Sequence, residues 1–366
     1  MEHPENNEKY KGLQVNGGVS SQPTVNPYRR PRSSRPRQFT AGEYVEGILK
    51  GDMSMLGRAV TLVESTADIH QALAQEVIEK CLPYTGNSKR IGITGVPGAG
   101  KSTSIDVFGL HVLKQGGKLA VLAIDPSSER TRGSILGDKT RMEKLSVEQN
   151  AFIRPSPSAG SLGGVARKTR ETIALCEAAG YDTIFVETVG VGQSETAVHS
   201  MVDFFLLIQL AGTGDELQGI KRGIMEMADG IAINKADGDN VSRAELAAAQ
   251  FRNALHLFPP TPSGWRPEVV TYSGYYELNI DKVWDMIDRY FEYVKQNGYF
   301  DKKRNEQAKY WMLETIDEQL RNDFYRRPEI KALLEQKELR VLNNEQSSFT
   351  AAHEVLERYF RIIEER

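Results

Sequence analysis

Apolar positions recur at helical spacing in the first clearly patterned part of the chain. Between Thr40 and about Leu82 they return every three or four residues, which predicts three amphipathic helices. Thr40 is placed to cap the first helix, Ala41–Leu49, and Ser54 to cap the second, which ends near Thr66. These helices form an extension ahead of the first predicted strand.

Short apolar runs of strand length then alternate with helical stretches from Lys89 to about Val294. This alternation is typical of an α/β protein with a mostly parallel sheet and helices on both faces. The chain shows no internal repeat. The predicted strands are Arg90–Thr94, Leu119–Ile124, Ala151–Arg154, Thr183–Glu187, Phe204–Gln209, Gly230–Asn234 and Val269–Tyr272.

Charged residues are frequent from Asp301 onward, where they are 27 of 66. Narrow apolar stripes nevertheless recur there at helical spacing, and each must be covered by the α/β core or by a second copy of the chain. We favour the second copy and predict a homodimer held by these helices. The stripes are Leu313, Ile316, Leu320 and Phe324, and then Val355, Tyr359 and Ile362.

The first 38 residues are polar and rich in Pro, Gly, Asn and Ser, so they have little apolar surface to bury. Five arginines fall between Tyr28 and Arg37, and a solvated tail is favoured over an arm that docks on an acidic partner. The patterns together predict a disordered arm over 1–38, a helical extension over 39–88, an α/β domain over 89–296 and a helical dimerisation region over 297–366.

Composition narrows the class of protein. The formal net charge of −3 argues against a general nucleic-acid binder, and no apolar run reaches the length of a membrane span. The two cysteines exclude a disulfide scaffold and are consistent with a reducing compartment. The amino-terminal segment is acidic and lacks the apolar stretch of a secretory signal, so we expect a cytoplasmic protein.

The clearest chemical signal follows the strand Arg90–Thr94 and precedes a helical stretch. It fits G-x-x-x-x-G-K-[ST], a loop whose backbone N–H groups and helix terminus cradle phosphates. In such a loop Lys101 bridges the β- and γ-phosphates and the Ser102 hydroxyl ligates Mg²⁺. This predicts a P-loop NTPase, with nucleotide contacts from Gly95, Val96, Pro97, Gly98, Ala99, Gly100, Lys101, Ser102 and Thr103.

A second motif indicates which base is bound. Asn234, Lys235 and Asp237 form N-K-x-D at the end of a predicted strand. A carboxylate at Asp237 can accept from guanine N1–H and the 2-amino group, whereas adenine offers no donor there. The substrate is therefore predicted to be GTP. Backbone N–H groups of a weaker element, Ser273, Gly274 and Tyr275, are placed to contact the same base.

Acidic residues end two of the predicted strands. Asp125 follows one and Glu187 another, where carboxylates beside a phosphate loop can hold Mg²⁺ and its water shell. Gly190 is placed to meet the γ-phosphate. Small GTPases carry D-x-x-G here, so in this chain Glu187 stands in for the aspartate.

The combined motifs resemble the methylmalonyl-CoA mutase-associated (MeaB-like) GTPases, a family with the older label lysine/arginine/ornithine transport system ATPase. They are GVPGAGKST, AIDPSS, SILGDKTRM, ETVGVGQSE, GDELQGIKRGI and NKAD, and the resemblance runs from about Tyr44 to the end of the chain. It implies a homodimer joined by C-terminal helices that binds a B12-dependent acyl-CoA mutase, gates its cofactor loading and protects or reactivates it. A cobalamin adenosyltransferase is a further partner that the resemblance suggests.

The resemblance also implies residue roles. Ser102, Asp125, Asp138 and Glu187 match positions around Mg²⁺, and Lys101, Glu187 and Lys221 are assigned to catalysis. Mobile regions are expected at 127–141, 189–195 and 210–221, with Lys221 ending the third. Arg130 and Arg132 could act as arginine fingers, although solvated side chains are favoured at both positions.

Other functions remain open at this stage. A kinase of the transport-system type would need a base for its substrate hydroxyl, and no H-R-D-like element is present. A metal-insertion chaperone like the hydrogenase and urease maturation GTPases is disfavoured because the histidines are scattered. A scaffold that binds GTP but barely hydrolyses it is the non-enzymatic alternative. Val191 stands where small GTPases place the water-orienting glutamine, so intrinsic hydrolysis is predicted to be slow.

Overall fold

The computed structural model describes residues 38–65, 67–125, 142–157, 162–188, 194–211 and 222–365. From Thr40 onward these residues belong to one compact unit. The predicted arm over 1–38 lies almost wholly outside the described residues. None of the described helices is long and apolar enough to cross a membrane.

Three helices precede the sheet, as predicted: α1 (Ala41–Leu49), α2 (Met53–Glu64) and α3 (Asp68–Cys81). Thr40 caps α1 in a reciprocal capping box with Glu43, which confirms that cap. The predicted cap of α2 is wrong. Asp52 is the capping residue, and its carboxylate accepts from the backbone N–H of Ser54 at 2.8 Å, so Ser54 lies within the first turn.

Seven parallel strands form the sheet, in the order β3-β2-β4-β1-β5-β6-β7, which confirms the predicted α/β class. The central strand β1 lies between β4 and β5, where the strand order reverses; such a point is where open parallel sheets bind ligands. The bounds are β1 (Lys89–Gly95), β2 (Leu119–Asp125), β3 (Ala151–Pro157), β4 (Thr183–Thr188), β5 (Phe204–Leu210), β6 (Gly230–Asn234) and β7 (Glu268–Thr271).

Helices cover both faces of the sheet. On one face α4 and α9 pack against strand residues such as Phe185 and Leu206, and on the other α8 packs against Leu207 and Ile231. Successive strand residues point to opposite faces, which explains how Leu206 and Leu207 enter different clusters. These helices are α4 (Lys101–Lys114), α5 (Leu162–Ala178), α6 (Ser194–His199), α7 (Arg222–Met227), α8 (Val241–Leu255) and α9 (Ile280–Gln296).

The last three helices are α10 (Tyr299–Arg326), α11 (Pro328–Leu342) and α12 (Ser348–Glu364). Their apolar stripes divide between two environments. Phe324, Val355, Tyr359 and Ile362 pack together around the buried Ile330 within the chain. In contrast, Leu313, Ile316 and Leu320 on α10 are 49%, 46% and 59% exposed. About half of each of these three side chains is therefore left uncovered by the described part of the chain.

Candidate functional site

The loop between β1 and α4 has a backbone that only glycine can supply at two positions. A Cβ on Gly95 would lie 2.3 Å from the carbonyl oxygen of Ile208, far inside contact distance. Gly100 has φ of +87°, and a Cβ there would lie 2.6 Å from the side-chain nitrogen of Asn234. The loop is therefore held tightly between β5 and the end of β6.

Lys101 begins α4 and turns its side chain back into this loop. Its ammonium donates to the carbonyl oxygen of Gly95 at 2.8 Å. Burial lowers the pKa of Lys101, while the nearby carboxylates of Glu187 and Glu195 act in the opposite direction. The lysine is thus a half-buried cation, held between a backbone oxygen and two acidic side chains.

The predicted acidic position on β4 lies at the same level of the sheet as the loop. Glu187 is buried and stands in register with Ile93 of β1. The next residue, Thr188, donates its hydroxyl to that of Thr94 at 2.9 Å, which fixes β4 to β1 there. Asp125 ends β2, but its side chain lies outside the described residues, as does all of Asp138.

Two of the predicted Mg²⁺ ligands can be tested against the chemistry of their donor atoms. The Ser102 hydroxyl has no hydrogen-bond partner within the described ranges, and Glu187 contributes a buried carboxylate that acts electrostatically on the adjacent Lys101. A free hydroxyl and a carboxylate are the hard oxygen donors that Mg²⁺ prefers. The described residues therefore fit this ion.

Asn234 joins three loops through its carboxamide. Its nitrogen donates to the carbonyl oxygen of Ala99 in the glycine-rich loop at 2.8 Å. Its oxygen accepts from the backbone N–H of Lys235 at 2.7 Å and of Gly274 at 3.0 Å. One buried side chain therefore sets the position of the phosphate-loop motif relative to both predicted base-binding segments.

The carboxylate of Asp237 is oriented by the neighbouring segment. Ser273 donates its hydroxyl to that carboxylate at 2.5 Å and accepts from the backbone N–H of Tyr276. Lys235 adopts a left-handed φ of 60°, which turns the chain between Asn234 and Asp237. The side chain of Tyr275 is 79% exposed. Its predicted contact was through the backbone.

A buried hydroxyl pair lies beneath the site. The Ser104 hydroxyl is 2.6 Å from that of Tyr272, and burial raises the pKa of Tyr272. The backbone oxygen of Tyr272 also accepts from the N–H of Ala236 at 3.0 Å. This pair links α4 to the segments predicted to bind the base, and no sequence motif predicted it.

The structure thus brings the predicted residues from Gly95 to Thr103, the N-K-x-D residues and Ser273 with Gly274 to one edge of the sheet. The sequence motifs did not predict the bridging role of Asn234, the pairing of Ser104 with Tyr272 or the electrostatic effect of Glu195 on Lys101. Of the predicted mobile regions, all of 127–141, residues 189–193 of 189–195 and residues 212–221 of 210–221 lie outside the described residues, and so do Arg130, Arg132 and Lys221.

Comparison with known proteins gives consistent matches over most of the chain. The family model described as "Methylmalonyl Co-A mutase-associated GTPase MeaB" matches residues 56–329. A putative GTPase of Caulobacter vibrioides is 50% identical over 84% of this chain and 94% of its own. GTPase ArgK of Escherichia coli is 44% identical over 87% and 97%, respectively.

A mammalian relative and a solved structure extend this similarity. The mouse protein named "Methylmalonic aciduria type A homolog, mitochondrial" is 42% identical over 92% of this chain and 84% of its own. The crystal structure of a protein named "LAO/AO transport system kinase" superposes with a TM-score of 0.71 at 37% identity. That match covers 89% of this chain and 99% of the other.

Proposed function

We propose that this chain, which belongs to the MeaB family of methylmalonyl-CoA mutase-associated GTPases, hydrolyses GTP with Mg²⁺ and thereby acts as a chaperone for a B12-dependent acyl-CoA mutase in the cytoplasm. The observation that carries the nucleotide part is the Asn234 carboxamide. Because it bonds to both Ala99 and Gly274, it ties a phosphate-binding loop to a base-binding segment at one edge of the sheet.

Selection of guanine rests on the orientation of Asp237. Ser273 donates to one oxygen of its carboxylate, which leaves the other available to accept from N1–H and the 2-amino group of guanine. Adenine has no donor at these positions, so bound ATP would leave a desolvated carboxylate unpaired. We infer a strong preference for GTP over ATP.

The phosphates are proposed to bind in the loop before α4. Its backbone N–H groups and the start of α4 supply partial positive charge, and the Lys101 ammonium moves from the Gly95 carbonyl to the β- and γ-phosphates. Ser102 and Glu187 would hold Mg²⁺, which offsets charge on the phosphate oxygens when bound. Asp125, Asp138 and Lys221 are proposed to complete this arrangement.

The proposed partner is supported by the names of relatives. The family description names methylmalonyl-CoA mutase, and a mouse relative carries the name of a methylmalonic aciduria protein. We propose that GTP hydrolysis gates cofactor loading of the mutase and protects or reactivates it, with a cobalamin adenosyltransferase as a further partner. A homodimer through the exposed α10 stripe of Leu313, Ile316 and Leu320 completes the proposal.

The partner claim is tested with the purified mutase of the same organism. Binding is measured by calorimetry with the full chain loaded with GDP, with a non-hydrolysable GTP analogue, or with no nucleotide. A complex whose affinity depends on the nucleotide supports the proposal. Lys101→Ala is the control, because the complex should lose its nucleotide dependence when phosphate binding fails. The absence of a complex in all three states would refute the partner.

A transport-kinase function is a second candidate because the solved relative is named a transport system kinase. The two functions are separated by following the γ-phosphate of radiolabelled GTP. Label that appears as free phosphate supports hydrolysis, whereas label on a protein or small-molecule acceptor supports a kinase.

A further inference from the structure

A buried tyrosine lies between the two halves of the proposed nucleotide pocket. Tyr272 follows β7 directly and precedes Ser273 and Gly274, and its side chain is 0% exposed. Its ring packs beside that of Phe108 on α4, with 5.4 Å between the ring centroids. The side chain therefore extends from the segment predicted to bind the base to the helix that follows the phosphate loop.

The backbone of Tyr272 holds the turn that carries the N-K-x-D motif. Its N–H donates to the carbonyl oxygen of Ile233 at 2.9 Å, and its carbonyl oxygen accepts from the N–H of Ala236 at 3.0 Å. These two bonds lie on either side of Asn234 and Lys235 in the sequence. On the base side, Tyr272 is thus anchored by its backbone, independently of its hydroxyl.

The hydroxyl of Tyr272 reaches the phosphate loop through Ser104. The Ser104 hydroxyl lies 2.6 Å from that of Tyr272 and donates to the carbonyl oxygen of Gly100 at 2.8 Å. A carbonyl oxygen can only accept, and a serine hydroxyl has a single proton. Because Ser104 donates that proton to Gly100, Tyr272 donates its own to Ser104. Burial raises the pKa of Tyr272, which keeps the phenol protonated and able to donate.

The Gly100 carbonyl belongs to the peptide unit that also carries the backbone N–H of Lys101. In a trans peptide the C=O and N–H groups point in opposite directions, so a group that holds one also orients the other. Lys101 is the first residue of α4, and the N–H groups of a first helical turn have no acceptor within the helix. The N–H oriented in this way is therefore one that a phosphate oxygen can bind.

This peptide unit needs a restraint because it follows a glycine. Gly100 adopts a left-handed φ of +87°, and glycine has more backbone freedom than any other residue. Ser104 supplies the restraint twice, since its backbone N–H donates to the Gly100 oxygen at 2.9 Å and its hydroxyl donates to the same oxygen at 2.8 Å. The bond from Tyr272 fixes the direction of that hydroxyl.

We propose that Tyr272 is a positioning residue of the nucleotide site. Its hydroxyl, acting through Ser104, holds the peptide of Gly100 so that the next N–H faces the nucleotide phosphates. Because Tyr272 is anchored on the base side as well, it fixes the phosphate loop relative to the segments that bind guanine. The proposal rests on the proposed binding of GTP in this pocket.

Tyr272→Phe tests the proposal, because it removes the hydroxyl and keeps the ring beside Phe108. Affinities for GDP and for guanosine are measured with the full chain by competition against a fluorescent GDP analogue. GDP affinity should fall roughly three- to tenfold, the factor that corresponds to one lost buried hydrogen bond. Guanosine has no phosphate to meet the Lys101 N–H, so its affinity should stay within about twofold of the wild type.

Tyr290→Phe is the matched control. Tyr290 is 1% exposed and its hydroxyl donates to the backbone oxygen of Asp203 at 2.8 Å, so the same substitution removes a comparable buried bond. Asp203 precedes β5, at the opposite edge of the sheet from the phosphate loop. Tyr290→Phe should lower the free energy of unfolding in urea about as much as Tyr272→Phe, yet leave the affinities for GDP and guanosine unchanged.

The Ser104 hydroxyl provides an independent test. Ser104→Ala removes the hydroxyl bond to the Gly100 carbonyl and should weaken GDP binding at least as much as Tyr272→Phe. Combining the two substitutions should cause no further loss of GDP affinity, because both break the same chain of bonds. If Tyr272→Phe does not fold, Ser104→Ala decides alone, and GDP affinity within about twofold of the wild type would overturn the proposal.

The variants separate failure of this proposal from failure of the nucleotide pocket. A folded Tyr272→Phe chain that binds GDP as Tyr290→Phe does would overturn the proposal and leave the pocket intact. An equal loss of affinity for GDP and guanosine would also overturn it, because the phenol would then support the whole site rather than the phosphate side. A wild type that binds no guanine nucleotide would refute the pocket and this proposal together.

Discussion

Replacing Asn234 with alanine should weaken GTP and GDP binding far more than its small size suggests. The substitution removes the partners of three backbone groups: the oxygen of Ala99 and the N–H groups of Lys235 and Gly274. Ala99 and Asn234 are 0% and 3% exposed, so water reaches this junction poorly. The Ala99 oxygen and the Gly274 N–H are the two buried groups among the three. Leaving both unpaired costs roughly 1 to 1.5 kcal/mol each, or about 2 to 3 kcal/mol in total. If that cost falls on nucleotide binding, affinity drops roughly 30- to 150-fold.

The assay is titration of a fluorescent GDP analogue, with circular dichroism to verify that the variant is folded. Asn240→Ala is the matched control. The carboxamide of Asn240 donates to the backbone oxygen of Lys235 at 2.7 Å. This bond is exposed and lies within the segment that follows β6, so it does not connect that segment to another loop. The control should bind within about twofold of the wild type. A folded Asn234→Ala chain that binds GDP within threefold of the wild type would show that the three loops keep their places without the carboxamide.

Three other parts of the molecule give further predictions. Asp237→Asn should shift the nucleotide preference from GTP toward xanthosine triphosphate, because the 2-oxo group of xanthine needs a hydrogen-bond donor. Competition between the two nucleotides measures this preference. An unchanged preference would show that Asp237 does not recognise the base. Ile316→Asp with Leu320→Asp should give a folded monomer in light scattering, because both side chains are exposed in the chain, whereas a persistent dimer would place the interface elsewhere. Burial lowers the pKa of His199 to about 4 from 6.5, so the folded state disfavours its protonation. The stability that His199 contributes is present above pH 6.5 and is lost as the pH falls toward 4, by roughly 3 kcal/mol. His199→Phe keeps an aromatic ring against Phe205. The free energy of unfolding of this variant, measured with urea, should change less between pH 6.5 and 4 than that of the wild type. An equally steep pH dependence would show that other groups cause the loss of stability.

The sheet and the phosphate loop were predictable because their signals are local. Short apolar runs separated by helical stretches leave few folds other than a parallel α/β sheet, and a glycine-rich loop between a strand and a helix has one common use. Strand ends were less predictable. β3 extends from the predicted Arg154 to Pro157 because Ser156 and Pro157 pair with β2, a contact that β3 alone does not encode.

Long-range side-chain contacts carry no local signal, and this is where sequence reasoning stopped. Asn234 could be recognised as a motif residue, but its bond to Ala99 spans much of the chain. The Ser104–Tyr272 pair and the bond from Gln307 on α10 to the backbone oxygen of Val202 belong to no motif and depend on helix placement. The error at the α2 cap arose because Asp52 and Ser54 are both good capping residues, and only backbone geometry chooses between them.

The most direct test of the central claim is steady-state GTP hydrolysis by the pure full-length chain, repeated with its cognate B12-dependent acyl-CoA mutase. Because Val191 cannot orient the attacking water, we predict ~10⁻⁴ to 10⁻² s⁻¹ for the chain alone and a clear acceleration when the mutase is added. Lys101→Ala should show neither rate. Turnover above ~1 s⁻¹ without a partner, or no acceleration by the mutase, would contradict a GTPase whose catalytic arrangement is completed by that enzyme.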